Sequence, residues 1–453
     1  MESTQLNSLP DMIPASVIES TGLPDLRSAL RFVHRPPSEA QVDRLGESNH
    51  PAHRRLVFEE LLAHQIALKR LRQKAKSFAA PKVSRGDLLN RLLGRFNFEL
   101  TTAQQRVIHE IESDIATGIP MLRLLQGDVG AGKTAVAAVI ASILIDAGYQ
   151  VALMAPTELL AQQHARQAEE WFRPLGIDTV MLTSRLTKSK RAPLLERLAS
   201  ARSAFVVGTH ALFQVDVTYG NLGLIIVDEQ HRFGVHQRMS LLEKGQSVDL
   251  LVMTATPIPR TLTLTTYGDM EISRLTEKPT GRLPVDTRTV PNRRLQEVIS
   301  AVGRAIASGE KVYWICPLIE ESEILKLAAA EERFVNLKSL FGERVKLIHG
   351  RMNSLEKDSI MKDFLNSGID ILVATTVVEV GVDVPEATIM VIEHAERFGL
   401  AQLHQMRGRI GRGLKKSTCL LLYSENLSPL AKERLKTIRE TDDGFLIAEK
   451  DLE

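Results

Sequence analysis

Two long stretches of this chain alternate short apolar runs with segments of helical period. From about Phe96 to Thr276 the apolar runs fall at 121–126, 151–155, 204–208, 223–228 and 250–254. In a second stretch they recur near 312–316, 346–348, 370–374, 389–393 and 418–423. Runs this short and this uniformly apolar predict strands covered on both faces, and the periodic segments between them predict helices. Strand–helix alternation predicts a parallel sheet with helices packed on both sides. The expected class is therefore α/β, with two parallel-sheet domains at 96–276 and 285–453. Between them, Glu277-Lys278-Pro279-Thr280-Gly281-Arg282-Leu283-Pro284 reads as a turn-rich linker.

Residues 1–95 read differently. Pro10, Pro14, Pro24, Pro36 and Pro37 punctuate the start. An amphipathic pattern then runs from about Ala52 to Phe78, with Leu56, Phe58, Leu61, Leu62, Ile66, Leu68 and Leu71 as the expected apolar face. Lys69, Arg70, Arg72, Lys74 and Lys76 crowd its end. Cations there suit the negative end of a helix dipole, and equally a contact with a DNA backbone.

Bulk composition narrows the classes. The chain has 453 residues, enough for two or three domains, with 44% hydrophobic and 25% charged residues. A net charge of +2 means that any nucleic-acid surface must be local. Cys316 and Cys419 lack metal-ligand spacing and adjoin apolar runs, so buried free thiols in a reducing compartment are expected. No apolar run is long enough to span a membrane. The N-terminus has no basic stretch followed by an apolar core. A cytoplasmic location without membrane contact is expected.

Three motifs add chemistry. Gly127-Asp128-Val129-Gly130-Ala131-Gly132-Lys133-Thr134 matches the phosphate-binding loop G-x-x-x-x-G-K-[ST]. It sits between a predicted strand and a predicted apolar helix, the context that separates such a loop from an ordinary glycine-rich turn. Gly127, Gly130 and Gly132 let backbone N–H groups turn toward an anion at a helix N-terminus. Lys133 would reach the β- and γ-phosphates of ATP, and the Thr134 hydroxyl would ligate Mg²⁺. The apolar run ending in Asp228-Glu229 is the second motif. Asp228 would hold Mg²⁺ and Glu229 would polarise the attacking water. An acidic strand end is the plain alternative, but it does not explain the distance from the phosphate loop. The third is Gln405-Met406-Arg407-Gly408-Arg409-Ile410-Gly411-Arg412-Gly413. Arg409 and Arg412 suit presentation to a phosphate, on a nucleotide or on a nucleic-acid backbone. His231 and His236 have no third ligand near them in sequence, so they are not read as a metal pair.

The order of these motifs is that of the superfamily 2 helicases, and the chain resembles the RecG family within it. The resemblance rests on Asp228 to Val235, Leu251 to Leu262, Ala155 to Leu160, Val207 to Ala211, Leu318 to Glu323, His349 to Met352, Ala374 to Pro385 and Arg397 to Gln405. It covers nearly the whole chain, including His34-Arg35-Pro36-Pro37. It implies two RecA-like domains forming a cleft, preceded by a helical segment, and an ATP- and Mg²⁺-dependent DNA motor that remodels forked or branched DNA in repair and recombination, acting as a monomer. By resemblance, Gln104 reads adenine, and Asp383 joins Gly127, Gly130, Gly132, Lys133 and Thr134 at the nucleotide. Arg409 and Arg412 become arginine fingers reaching across the cleft. Thr254 and Thr256 transmit nucleotide state. Thr157, Gly208, Thr209, His210, Arg351, Thr375 and Thr376 contact the backbone of one DNA strand. The family also carries an N-terminal wedge domain and a coupling segment beyond the Asp443-Gly444-Phe445 to Asp451-Leu452-Glu453 stretch. Neither is found here, so the chain is expected to be the motor portion. The rival readings are a transcription-repair coupling translocase and a DNA-binding fragment without productive hydrolysis.

Overall fold

The computed structural model describes residues 9–37, 50–75, 78–201, 203–228, 247–255, 270–279, 283–317, 323–366, 368–375, 384–411, 413 and 415–451. Among them lie two compact units, one within the first 77 residues and one running from Phe78 onward.

The first unit contains α1 (Ala15–Thr21), α2 (Leu26–His34) and α3 (Pro51–Ala75). Asp25 caps α2 by accepting from Ser28 N at 3.0 Å. The expected apolar face of α3 is only partly covered: Leu56, Phe58 and Leu62 are half-buried. Leu61 and Ile66 are 44% and 45% exposed, while Ala52 and Arg55 are buried. Arg55 is tolerated there because two carboxylates neutralise it, Asp11 at 2.7 Å and Glu59 at 2.6 Å. Lys69 and Arg70 are exposed.

The second unit opens with α4 (Asp87–Leu93) and α5 (Thr102–Ile115). The first sheet then builds through β1 (Leu122–Gly127), α6 (Lys133–Asp146), β2 (Gln150–Met154), α7 (Glu158–Phe172), β3 (Thr179–Leu182), α8 (Lys188–Ser200), β4 (Ala204–Gly208), β5 (Leu222–Asp228), β6 (Asp249–Thr254) and β7 (Glu271–Leu275). Its strands lie in the order β3-β4-β2-β5-β6-β1-β7, all parallel. Every residue of α6 from Ala135 to Ile145 is buried. A helix apolar all round must be covered all round. The sheet lies on one side of it and α4 and α5 on the other. Leu88, Leu89 and Leu92 of α4 belong to this core, so the compact unit starts ahead of Phe96.

The second sheet contains β8 (Asp286–Pro291), α9 (Leu295–Ala307), β9 (Lys311–Cys316), α10 (Glu323–Phe341), β10 (Val345–Ile348), α11 (Ser354–Leu365), β11 (Ile371–Thr375), β12 (Ala387–Ile392), α12 (Leu400–Arg407), β13 (Thr418–Tyr423), α13 (Pro429–Glu440) and α14 (Gly444–Lys450). Its order is β10-β11-β9-β12-β13-β8, again all parallel. Cys316 and Cys419 are buried free thiols. Burial pushes both up, Cys419 to about 12.

Every apolar run read from the sequence is a strand. Three strands were not anticipated, β3, β7 and β8, and each lies at a sheet edge. The carboxyl ends of the first sheet gather the chemistry. The phosphate loop follows β1, Asp228 ends β5, Thr254 ends β6, and Thr157 and Thr209 lie just beyond β2 and β4. Open parallel sheets bind ligands at that end.

Candidate nucleotide site at the junction of the two sheets

The loop after β1 has the backbone that its glycines permit. Gly130 and Gly132 adopt φ of 78° and 84°, which side chains disfavour. A Cβ on Gly132 would also lie 2.1 Å from Gln104 Nε2. Gln104 is buried at the start of α5. Its amide donates to Ala131 O at 2.9 Å, and its Oε1 accepts from Thr101 N at 2.9 Å. The side chain therefore ties a helix cap to the phosphate loop. Lys133 is 9% exposed and turns back on its own loop, donating to Gly127 O at 2.7 Å and Asp128 O at 3.0 Å. Those carbonyls hold the ammonium at the spot where an anion would meet it.

Asp228 lies within 2.8 Å of His164 Nε2, on α7. His164 Nδ1 is buried without a hydrogen-bond partner among the described residues, so the proton sits on Nε2 and is donated to the carboxylate. Burial pushes the Asp228 carboxyl up, but the His164 hydrogen bond and the charges of Lys133 and Arg409 together outweigh it, and the net shift is downward. Arg409 belongs to the second sheet's domain. Its charge thus acts across the junction on the acid expected to hold a metal. Thr134 and His164 line one small cavity beside this acid.

A second link crosses the junction. His404 Nε2, on α12, lies 3.1 Å from Asp128 Oδ1 in the phosphate loop. Arg407 Nη2 donates to His404 Nδ1 at 2.8 Å, and Arg407 Nη1 donates to Ile438 O and Thr441 O at 2.6 and 2.9 Å. A Cβ on Gly408 would lie 2.9 Å from Val129 Cβ, so the two backbones abut. Burial raises the Asp128 carboxyl, and the His404 hydrogen bond with the charges of His404 and Lys278 brings it below its ordinary value. On another face, Arg185 spans from Glu158 at 3.0 Å to Asp358 of α11 at 2.8 Å.

The residues expected at DNA are less uniform. Thr157 caps α7, accepting from Leu160 N at 3.3 Å. Gly208 has a structural reason to be glycine, because a Cβ there would meet Leu182 O at 2.1 Å. Thr209 and Thr375 are buried. His210, at the start of a short 3-10 helix after β4, and Arg351, in the turn after β10, are exposed. Glu229, His231, His236, Thr256, Thr376, Asp383 and Arg412 lie outside the described residues. His164, His404, Asp128 and the Arg185 bridge carried no signal of role in the sequence beyond lying inside or beside motifs.

Among the described residues no group of three or more His, Cys, Asp or Glu is placed to hold a metal ion, and no helix is long and apolar enough to cross a membrane. A site with one carboxylate and one hydroxyl still suits Mg²⁺, which takes much of its shell from water and phosphate oxygens.

Residues 101–265 match the DEAD/DEAH box helicase family, and residues 292–413 match the helicase conserved C-terminal domain. The ATP-dependent DNA helicase RecG of Escherichia coli K12 is 50% identical over 453 residues, covering 98% of this chain and 65% of that protein. RecG of Pasteurella multocida is 49% identical, covering 94% of this chain and 63% of that protein. A solved RecG bound to a three-way DNA junction superposes with a TM-score of 0.84 at 40% identity, covering 99% of this chain and 58% of that one. Over nearly its whole length the chain is similar to the RecG helicases. It spans about 65% or less of the length of these RecG relatives. The Mycobacterium smegmatis helicase Lhr, at 18% identity and a TM-score of 0.58, shares the RecG motor fold alone.

Proposed function

We propose that this chain is the ATP- and Mg²⁺-dependent motor of a RecG-type helicase, acting as a cytoplasmic monomer on forked or branched DNA. The observation that carries the reading is the meeting of the two domains at the phosphate loop, where His404 of the second sheet's domain lies 3.1 Å from Asp128 of the first and brings the segment leading to Arg409 up to the loop. A phosphoryl-transfer site completed from two domains makes hydrolysis depend on their closure. The loop fits a nucleotide: Gly132 leaves no room for a side chain, and Lys133 has carbonyls to exchange for phosphate oxygens. The hard oxygens of Asp228 and Thr134 fit Mg²⁺, which when bound neutralises phosphate charge.

In this reading Lys133 neutralises the β- and γ-phosphates, and Asp228, held by His164, keeps its carboxylate ionised and oriented. Glu229 takes the proton from the attacking water. Arg409 and Arg412 meet the charge that develops in the transition state, and Gln104 and Asp383 complete the nucleotide contacts. Closure and opening then step the protein along one strand, gripped by Thr157, Gly208, Thr209, His210, Arg351, Thr375 and Thr376. Exposed His210 and Arg351 are the first contacts to test. Backbone grip makes binding salt-sensitive and sequence-independent.

The deciding measurement is ATP hydrolysis with and without a forked DNA. DNA-stimulated turnover that disappears in Lys133→Ala supports the reading. No turnover with either, despite retained folding, would leave a DNA-binding shell and overturn it.

A further inference from the structure

The cross-domain bond between His404 and Asp128 lies outside the nucleotide chemistry assigned so far. Both side chains are nearly sealed from water, at 8% and 14% exposure. Arg407 is a pure donor, so His404 Nδ1 must accept from it. The proton is therefore on Nε2, pointed at Asp128. The contact is a directional hydrogen bond from the imidazole to a carboxylate, largely buried at the edge of a cavity that both side chains line.

Its place in the chain gives it a consequence. His404 stands in the last turn of α12, and Arg409 follows that helix end directly. The helix end has two anchors. Arg407 ties it to carbonyls of its own domain, at Ile438 and Thr441. His404 ties it to the phosphate loop of the other domain, next to the abutting Gly408 and Val129. Arg407 therefore fixes the helix within its domain, while His404 fixes the depth at which it meets the loop. An arginine acting on transition-state charge tolerates little misplacement.

We infer that His404 is a positioning residue for phosphoryl transfer, setting Arg409 in register with the phosphate loop through Asp128. The inference rests on the hydrolysis proposed above. Neither His404 nor Asp128 needs to touch the nucleotide for it to hold.

The test is steady-state ATP hydrolysis at saturating forked DNA for H404A, D128A, the double variant, H404Q and D128N, with thermal unfolding of each. Losing one buried, directional contact that places the arginine should lower kcat roughly tenfold in H404A and in D128A. The KM for ATP should change by less than about twofold, because ground-state binding does not use the contact. The double variant should be no slower than either single one, since both remove the same bond. H404Q retains a donor and D128N an acceptor, so both should recover most of the rate. Should H404A unfold below the assay temperature, D128A carries the same test from the other partner. Wild-type kcat in D128A and H404A alike, or losses that multiply in the double variant, would overturn the inference. K133A separates the two readings. If it abolishes turnover while the His404 and Asp128 variants behave as wild type, the positioning role falls and the hydrolysis stands. If K133A itself remains active, the hydrolysis site has been misassigned.

Discussion

The phosphate loop and the arginine helix meet at one site, yet they are specified differently. The loop Gly127–Thr134 takes its backbone shape from neighbours in the chain, β1 before it, α6 after it and Gln104 of α5 beside it, although its Asp128 and Val129 also meet the second sheet's domain. Its left-handed glycines are a local backbone requirement. The segment α12 to Arg409 has no such local logic. It is held by Arg407 to carbonyls some thirty residues on, and by His404 to a carboxylate 276 residues back. The lesson is that the backbone of a glycine-rich loop is a property of one chain segment, whereas what the second domain brings to it is a property of the assembled pair.

The sharpest way to break this comparison is at the loop. Lys133→Ala removes the buried cation and leaves the glycines and the core of α6 intact. Hydrolysis should fall to background while circular dichroism and the unfolding temperature stay near wild type. Turnover close to normal would remove the loop from the site.

The arginine side should fail differently. Arg409→Ala should leave ATP binding near normal and depress kcat, by up to about 10³-fold if Arg409 acts alone and by less if Arg412 shares the task. Titration of a fluorescent ATP analogue alongside single-turnover hydrolysis separates the two effects. Loss of binding with unchanged chemistry would make Arg409 a ground-state contact and erase the contrast.

A smaller effect is expected at the opposite end of the first sheet, where long-range packing again overrides local chemistry. Asp249 is fully buried at the start of β6. Its Oδ1 accepts from Met121 N at 2.8 Å, and its Oδ2 is buried without a partner among the described residues. Burial lifts this carboxyl to about 7, with Asp114 adding to the rise and the Met121 hydrogen bond opposing it. The folded chain therefore keeps a proton that the unfolded chain has lost from about pH 4 upward. Stability attributable to this group falls as pH rises through that window and levels off above 7. Asp249→Asn keeps an acceptor for Met121 and removes the charge. It should be more stable than the parent by a few kcal/mol at pH 8, with the gap narrowing toward pH 4. Denaturant unfolding at both pH values checks this; equal stability at pH 8 would show that Asp249 ionises without penalty.

The smallest effect should come from Thr157, which serves both as the α7 cap and as an expected DNA contact. Thr157→Ala should cost about 1 kcal/mol of stability through the lost cap. If Thr157 also grips DNA, Thr157→Ser should keep stability and affinity while the alanine variant loses both. A drop in stability with unchanged DNA affinity would leave it a cap alone.

How far each feature was legible follows from burial and from separation along the chain. Strands at the middle of either sheet, such as β5 and β9, are covered on both faces and appear as unbroken apolar runs. The edge strands β3, β7 and β8 are only partly buried, and β7 carries Glu271, Ser273 and Arg274. A four-to-six-residue stretch of that kind looks like a loop until a neighbour supplies its hydrogen bonds. In α3 two of the residues expected on the apolar face, Leu61 and Ile66, are exposed, while Arg55 is buried, because Asp11 lies 44 residues away along the chain and close in space.

The sequence by itself determined the α/β class, the two parallel-sheet halves, the phosphate loop and the acid at the end of β5, because each depends on residues near one another in the chain. Tertiary structure alone decided that His164 holds Asp228 and that His404 meets Asp128. Spacing in sequence encodes backbone conformation, which is local. The partner of a buried polar side chain is set by where two sheets bring their ends together, and that is written in no single segment.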